Sequence, residues 1–171
     1  MNKKSLAVIG GGDWGKNLIR DFHQLNVLHS ICDINTDLQK QYHNQYPDVK
    51  VTGDFRSILD NQDITQVVIA LPAELHYKFS KQALIHNKDV FLEKPMTLNL
   101  ADAEELVQLA KENGRVLMVG HILHYHAAML IIIKMITLKK ILNGKTNTVF
   151  ISHLVDIIII CHMKKFTLMM N

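Results

Sequence analysis

The sequence predicts an α/β protein built on a doubly wound parallel sheet, and three observations support this fold class. Short apolar runs alternate with longer amphipathic stretches from the N-terminus to about residue 126. The first run, residues 6–9, leads directly into glycines, as a buried parallel strand before a tight turn does. The clearest run, residues 66–71, is closed by Pro72. Such alternation is typical of a parallel sheet covered by helices on both faces.

The remaining elements follow in order along the chain. We predict helices over residues 14–25, 36–46, 55–59 (a turn or two) and 74–86, and strands over residues 27–32, 90–92 and 116–119. Pro47 ends the second of these helices, because proline lacks the N–H that a continuing helix needs.

The helix that follows Asn99 has the best-defined ends. Asn99 can cap its N-terminus, and Asp102 complements the positive end of the helix dipole. Gly114 is expected to end it in the left-handed conformation. Apolar residues spaced i, i+3, i+4, i+7 give the helix one buried face, formed by Ala103, Leu106, Val107 and Ala110.

The composition fits one packed domain and excludes several classes of function. The chain has 171 residues, of which 48% are hydrophobic, and carries a net charge of +3 with no long basic run, so no nucleic-acid partner is expected. Its longest apolar stretches, residues 127–133 and 157–162, are shorter than the roughly 18–20 residues that span a bilayer, so no membrane partner is expected. Cys32 and Cys161 show no pairing pattern, which favours a reducing, cytoplasmic location.

The charge and composition change near residue 126. Residues 1–126 carry a net charge of −2, whereas residues 127–171 carry +5 and are rich in Ile, Met, Leu and Lys. We therefore predict a dinucleotide-binding domain over residues 1–126. The remainder, 127–171, is either a crossover helix (129–142) with a remnant of a second domain or the product of an altered reading frame.

A glycine motif carries the first functional hypothesis. Gly10, Gly12 and Gly15 form a G-x-G-x-x-G sequence between a predicted strand and a predicted helix. In a Rossmann-type domain these glycines permit the tight turn, the approach of a pyrophosphate and close helix packing. Asp33 directly follows the second predicted strand and lies 23 residues after Gly10. This is near the roughly 20-residue spacing of an acid that binds the adenosine ribose of NAD. An ordinary glycine turn and a turn aspartate remain the alternatives.

Three further segments give the chain a specific resemblance. They are Ala70-Leu71-Pro72 with His76, then residues 91–95 (Phe-Leu-Glu-Lys-Pro), and then Val119-Gly120-His121. Together they resemble the glucose–fructose oxidoreductase and inositol dehydrogenase family, the Gfo/Idh/MocA family, over residues 1–126. The resemblance implies a Rossmann fold and a sugar, nucleotide-sugar or cyclitol CH–OH substrate. The carboxylate of Asp33 favours NAD over NADP, because it would repel a 2′-phosphate.

The resemblance also implies roles for individual residues. Asp33 would hold the ribose, and Glu93 and Lys94 would face the nicotinamide and the substrate hydroxyl, with Lys94 as the catalytic residue. The peptide before Pro95 is commonly cis in the family, which would direct Lys94 into the site. Without the family resemblance, Lys94 could simply be a surface lysine before a proline. The pyrophosphate would be lined by Gly10, Gly12, Asp13, Trp14 and Gly15, and the nicotinamide half by Leu71, Pro72 and His76.

A histidine cluster, His121, His124 and His126, has spacing that could suggest zinc, but no Cys or acid lies nearby to complete a ligand set. We expect no metal. The family's Gly-His strand end explains the cluster better, although Ala127 stands where the family has proline.

Family members continue into a second domain that carries the sugar site and a catalytic histidine, and the 45 residues after His126 match little of it. We therefore expect a truncated chain that is inactive by itself and prone to self-association through uncovered apolar surface. A non-catalytic NAD-binding module and a non-functional fragment remain the alternatives.

Overall fold

The structure is a computed structural model that describes residues 4–121. Eleven elements alternate along this part of the chain. The strands are β1 (Leu6–Ile9), β2 (Leu28–Cys32), β3 (Lys50–Thr52), β4 (Gln66–Ile69), β5 (Asp89–Leu92) and β6 (Leu117–Val119). The helices are α1 (Gly15–Gln24), α2 (Thr36–Gln45), α3 (Phe55–Asp60), α4 (Ala73–Ile85) and α5 (Leu100–Glu112).

The strands form one parallel sheet in the order β3-β2-β1-β4-β5-β6. Residues of one strand point alternately to the two faces, and each face has its own core. Ala7 and Ile9 of β1 pack with residues of α3, α4 and α5, whereas Leu6 and Val8 pack with residues of α1 and α2. The predicted doubly wound α/β fold is therefore confirmed.

The termini of α5 form as their residues predict. The side chain of Asn99 accepts a hydrogen bond from the Asp102 N–H at 2.9 Å, and Gly114 has φ +60° just after the helix. Leu106 and Ala110 of the predicted apolar stripe are buried, and Ala103 and Val107 are partly buried. Local sequence therefore determines both ends of this helix.

The sequence prediction missed β3, and it set several element ends one or two residues away from those observed. This strand has three residues, lies at the edge of the sheet and pairs with β2 alone. Lys50 is exposed, and Val51 and Thr52 are half-buried. A strand of this kind has no apolar run that could reveal it.

Two buried side chains show how firmly the sheet is enclosed. Lys88, 3% exposed, donates hydrogen bonds of 2.7 Å to the carbonyl oxygens of Asn61 and Ile64, and so joins the start of β5 to the segment before β4. Burial lowers the pKa of this ammonium. Cys32 is buried at the end of β2, where burial first, and then the charges of Asp33 and Asp54, raise the thiol pKa to about 12.

No helix within residues 4–121 has the length and hydropathy needed to cross a bilayer. The proposed boundary near residue 126 and the helix over 129–142 lie outside the described residues.

Candidate cofactor-binding site

The predicted site residues lie at one edge of the sheet, where the parallel strands have their carboxyl ends. The glycine turn follows β1, Asp33 follows β2, Leu71 and Pro72 come just after β4, and Glu93 follows β5. Strand order reverses between β1 and β4. Open α/β sheets bind ligands at this edge, next to such a reversal.

Steric contacts explain two of the glycines. Gly10 has φ +93°, and a Cβ there would lie 2.5 Å from the carbonyl oxygen of Ala70. A Cβ on Gly15 would lie 1.9 Å from the carbonyl oxygen of Gly10, so the first turn of α1 packs directly on the end of β1. Any larger residue would force the helix away from the strand.

Gly12 differs from these two because its surroundings are open. A Cβ built on Gly12 meets no atom within 4 Å among the described residues. Packing of the protein therefore does not require glycine at this position. Space above the turn is what a bound pyrophosphate needs, so the residues present fit a dinucleotide.

Asp13, between these glycines, has a fully exposed side chain that lies 3.6 Å from the Lys16 ammonium group. A carboxylate would repel a pyrophosphate, so any contact of Asp13 with phosphate would come from its main chain. The sequence motif did not distinguish these two possibilities.

Gly11 is held from two sides by residues distant in sequence. Its N–H donates to Asp33 Oδ2 at 2.6 Å, and its carbonyl oxygen accepts from the Tyr42 hydroxyl at 2.5 Å. A Cβ on Gly11 would lie 2.5 Å from the Tyr42 ring. Sequence reasoning did not select Tyr42, although it is the one buried residue of α2 and, with Leu38, one of two apolar residues on a mostly polar helix.

Asp33 is half-buried beside the glycine turn. Its Oδ1 accepts from the Asn35 N–H at 2.8 Å while Oδ2 accepts from Gly11, so main-chain donors orient both oxygens. Each carboxylate oxygen can accept more than one hydrogen bond, so the group retains acceptor capacity for ribose hydroxyls.

Trp14 and Glu93 join the glycine turn to the end of β5. The indole Nε1 of Trp14 donates to Glu93 Oε1 at 2.6 Å, across 79 residues of sequence. Glu93 is 8% exposed, whereas Trp14 is 48% exposed. The family resemblance assigned Trp14 to the pyrophosphate and Glu93 to the nicotinamide, and nothing in the sequence indicated that the two side chains contact each other.

His76 lies inside the protein rather than at the surface of the site. Its ring is 1% exposed, with Nδ1 2.5 Å from the carbonyl oxygen of Pro95 and Nε2 2.8 Å from that of Leu71. A neutral imidazole can donate to one of these carbonyls, and an imidazolium to both. Because both ring nitrogens are engaged, we propose that His76 supports the loops on either side and does not contact the cofactor directly.

Lys94, Pro72 and Pro95 are exposed at this edge. The Lys94–Pro95 peptide is cis. Within residues 4–121 the Lys94 ammonium group has no hydrogen-bond or ion-pair partner, which leaves it available to a ligand. Leu71 is half-buried, and it packs against the buried core.

Metal ligands were a second possibility for this edge. The described residues contain no group of three or more His, Cys, Asp or Glu side chains arranged to hold a metal ion. His121 is described and half-buried, whereas His124 and His126 lie outside the described residues.

Comparison with known proteins agrees with this geometry. A family model described as an oxidoreductase family with an NAD-binding Rossmann fold matches residues 4–121, which is more than half of the chain. The chain belongs to the Gfo/Idh/MocA family. The resemblance noted from the Glu-Lys-Pro and Gly-His segments is thereby confirmed, and so is the assignment of an NAD-binding domain.

One relative of the chain is named for a reaction on a sugar derivative. A 2,7-anhydro-N-acetylneuraminate hydratase of Mediterraneibacter gnavus is 26% identical over 125 residues, which are 73% of this chain and 33% of that protein.

Solved Gfo/Idh/MocA-type structures share the fold. A 3-ketoreductase from Actinomadura kijaniata, in complex with TDP-benzene and NADP, has a TM-score of 0.70 at 24% identity, covering 80% of this chain and 42% of that one. A dehydrogenase from Chromobacterium violaceum, in complex with NADH and UDP-GlcNAcA, has a TM-score of 0.63 at 23% identity, covering 70% and 35%. This chain spans about a third of the length of the relatives it matches.

Proposed function

We propose that the edge of the sheet formed by the glycine turn, Asp33 and the Glu93–Lys94 segment binds a nicotinamide dinucleotide. In this proposal the domain serves an oxidoreductase that acts on a CH–OH group of a sugar, nucleotide sugar or cyclitol. One observation supports this proposal most directly. The space over Gly12 is open, and the carboxylate of Asp33 is oriented next to it by a hydrogen bond of 2.6 Å from the Gly11 N–H. A pyrophosphate needs the first feature, and an adenosine ribose needs the second.

The same carboxylate supports NAD over NADP. A 2′-phosphate on the ribose would meet the negative charge of Asp33, whereas a ribose hydroxyl would donate to it. Similar proteins have been solved with NADP and with NADH, so the preference is a proposal for this chain and rests on Asp33.

Lys94 has the position and chemistry to act on the substrate. The bound cofactor would supply a hydride acceptor at its nicotinamide ring. Lys94 is exposed beside Glu93, and its ammonium group could donate a hydrogen bond to the substrate hydroxyl and orient it. The family resemblance assigns the proton acceptor to a second domain.

We further propose that this chain, assayed by itself, binds cofactor without useful turnover. Positioning of a substrate can contribute roughly 7–11 kcal/mol to catalysis, and it requires a closed pocket. Lys94 is exposed in the structure of residues 4–121, so these residues do not enclose a substrate at Lys94. A binding module without catalysis is the alternative function, and it makes the same prediction for this chain.

The experiment is a titration of the purified chain with NADH and NADPH by calorimetry, followed by a turnover assay. Saturable binding of NADH that is tighter than that of NADPH supports the proposal. Equal affinities would refute the role of Asp33, and the absence of binding would refute the site. Formation of NADH from inositols, hexoses or nucleotide sugars, lost in Lys94→Ala, would contradict the expectation of inactivity.

A further inference from the structure

We propose that Trp14 is a positioning residue that couples the phosphate-binding turn to the Glu93–Lys94 segment through its hydrogen bond with Glu93. This inference rests on the proposed function, since it assumes a dinucleotide that spans both parts of the site. It adds a property that the glycine motif and the Glu-Lys-Pro segment do not contain separately: the two halves of the site are linked energetically.

The first support is the position of Trp14 in the chain. It is the N-cap residue of α1, between Gly12, which faces open space, and Gly15, which packs on β1. The Trp14 carbonyl oxygen also accepts a hydrogen bond from the Asn17 N–H at 3.0 Å. Movement of the indole is therefore tied to the main chain of the turn that would bind phosphate.

The second support is the position of Glu93. Its N–H continues the sheet by donating to the Ile69 carbonyl oxygen at 3.0 Å, which fixes the backbone at the end of β5. Glu93 is 8% exposed, and within residues 4–121 its carboxylate accepts one hydrogen bond, from Trp14. Because a carboxylate removed from water depends on its donors, the indole N–H determines where this group points.

The consequence concerns Lys94, which directly follows Glu93 and has no partner within residues 4–121. Holding Glu93 in place limits the conformations of its neighbour. A ligand that orders the glycine turn should then favour the Glu93–Lys94 conformation that receives the nicotinamide half, and a ligand on that half should favour the ordered turn. Such coupling is reciprocal.

A double-mutant cycle on the full chain tests the coupling. Trp14→Phe removes the N–H and keeps an aromatic ring, and Glu93→Met removes the acceptor and keeps the side-chain length. Calorimetry measures the affinities of NADH and of ADP, which lacks the nicotinamide half. We expect Trp14→Phe to weaken NADH by about tenfold or more, as for loss of a hydrogen bond to a charged group. Affinity for ADP should change less than about twofold by the same reasoning.

The double variant should bind NADH no more weakly than the weaker single variant. Additive losses in the cycle would overturn the coupling, and so would equal weakening of ADP and NADH by Trp14→Phe. Glu93→Gln, which keeps an oxygen acceptor, should recover part of the NADH affinity. If Glu93→Gln binds NADH as weakly as Glu93→Met does, the result would count against the hydrogen bond.

A spectroscopic measurement keeps the test independent of ligand binding. Trp14 is the chain's single tryptophan, so its fluorescence reports this contact without interference from another indole. Glu93→Met should shift the emission in the absence of any ligand, and an unchanged spectrum would refute the bond. If the parent chain binds no NADH, the proposed function fails; if it binds NADH and the cycle is additive, only the coupling fails.

Discussion

The Tyr42 hydroxyl donates a hydrogen bond of 2.5 Å to the carbonyl oxygen of Gly11, and thereby joins α2 to the glycine turn across 31 residues. Tyr42 is 3% exposed, and its pKa is raised by burial first and then by the charges of Asp33 and Tyr46. The phenol therefore stays a hydrogen-bond donor at neutral pH. It therefore supports the turn at Gly11, the residue next to Gly12.

Tyr42→Phe should accordingly loosen the turn without removing the ring that packs over Gly11. We expect a loss of about 1 kcal/mol in the free energy of unfolding, and NADH affinity lower by about fivefold. Urea unfolding and calorimetric titration measure the two effects. Tyr46→Phe is a matched control, because the Tyr46 hydroxyl accepts from Gln45 and does not contact the turn. Unchanged NADH binding in Tyr42→Phe would show that the turn holds its shape without this bond.

Asp33→Asn should change the choice of cofactor. The amide removes the negative charge at nearly constant shape, so NADH should bind more weakly by about 1–3 kcal/mol, while NADPH loses less or gains. Titrations with both cofactors measure the ratio. Asp37→Asn is the control for net charge, because the Asp37 side chain is 89% exposed and lies 3.5 Å from Lys40. A ratio that changes equally in both variants would remove Asp33 from the ribose site.

Gly12→Val should abolish NADH binding and leave the fold intact. Its Cβ would enter space that no described residue occupies, so the protein itself tolerates the change. Gly15→Ala is the contrasting variant, because its Cβ would lie 1.9 Å from the Gly10 carbonyl oxygen. We expect Gly15→Ala to lower the free energy of unfolding by about 1–3 kcal/mol, as overpacking does. A Gly15→Ala variant as stable as the parent would contradict the close contact with the Gly10 carbonyl oxygen. NADH binding to Gly12→Val at parental affinity would place the phosphates elsewhere.

Lys88→Met should destabilise the domain by about 1–3 kcal/mol at neutral pH, because two buried carbonyl oxygens lose their donor. The comparison has a defined pH dependence. Burial lowers the Lys88 pKa in the folded state, so between that lowered pKa and the ordinary 10.5 the unfolded chain binds more protons. The parent's stability should therefore rise through that window relative to the variant's. Urea unfolding between neutral pH and pH 10 measures it, with the exposed Lys78→Met as control. A difference that stays constant or shrinks would contradict the pKa shift.

The parts of this structure that sequence could predict are those encoded by neighbouring residues. Asn99, Asp102 and Gly114 define the ends of α5 because capping involves contacts three or four residues apart. The position of Asp33 followed from its spacing after Gly10, since strand and helix lengths fix that distance.

Contacts between distant elements could not be predicted in this way. The Trp14–Glu93 and Tyr42–Gly11 bonds join segments 79 and 31 residues apart, and each depends on strand register and helix rotation together. His76 illustrates the same limit, since the motif placed it near the site but not inside the protein between two carbonyl groups.

The buried thiol of Cys32 makes the opening of the sheet measurable in time. A thiolate is the form that reacts with alkylating reagents, and a thiol with pKa about 12 inside the sheet reacts only when β2 opens to water. The rate at which the Cys32 peptide is alkylated, followed by mass spectrometry, therefore counts those openings. Asp33 is the next residue along the chain. A dinucleotide that binds only the closed form should slow the reaction by the factor one plus ligand concentration over Kd, so one cysteine converts an affinity into a rate.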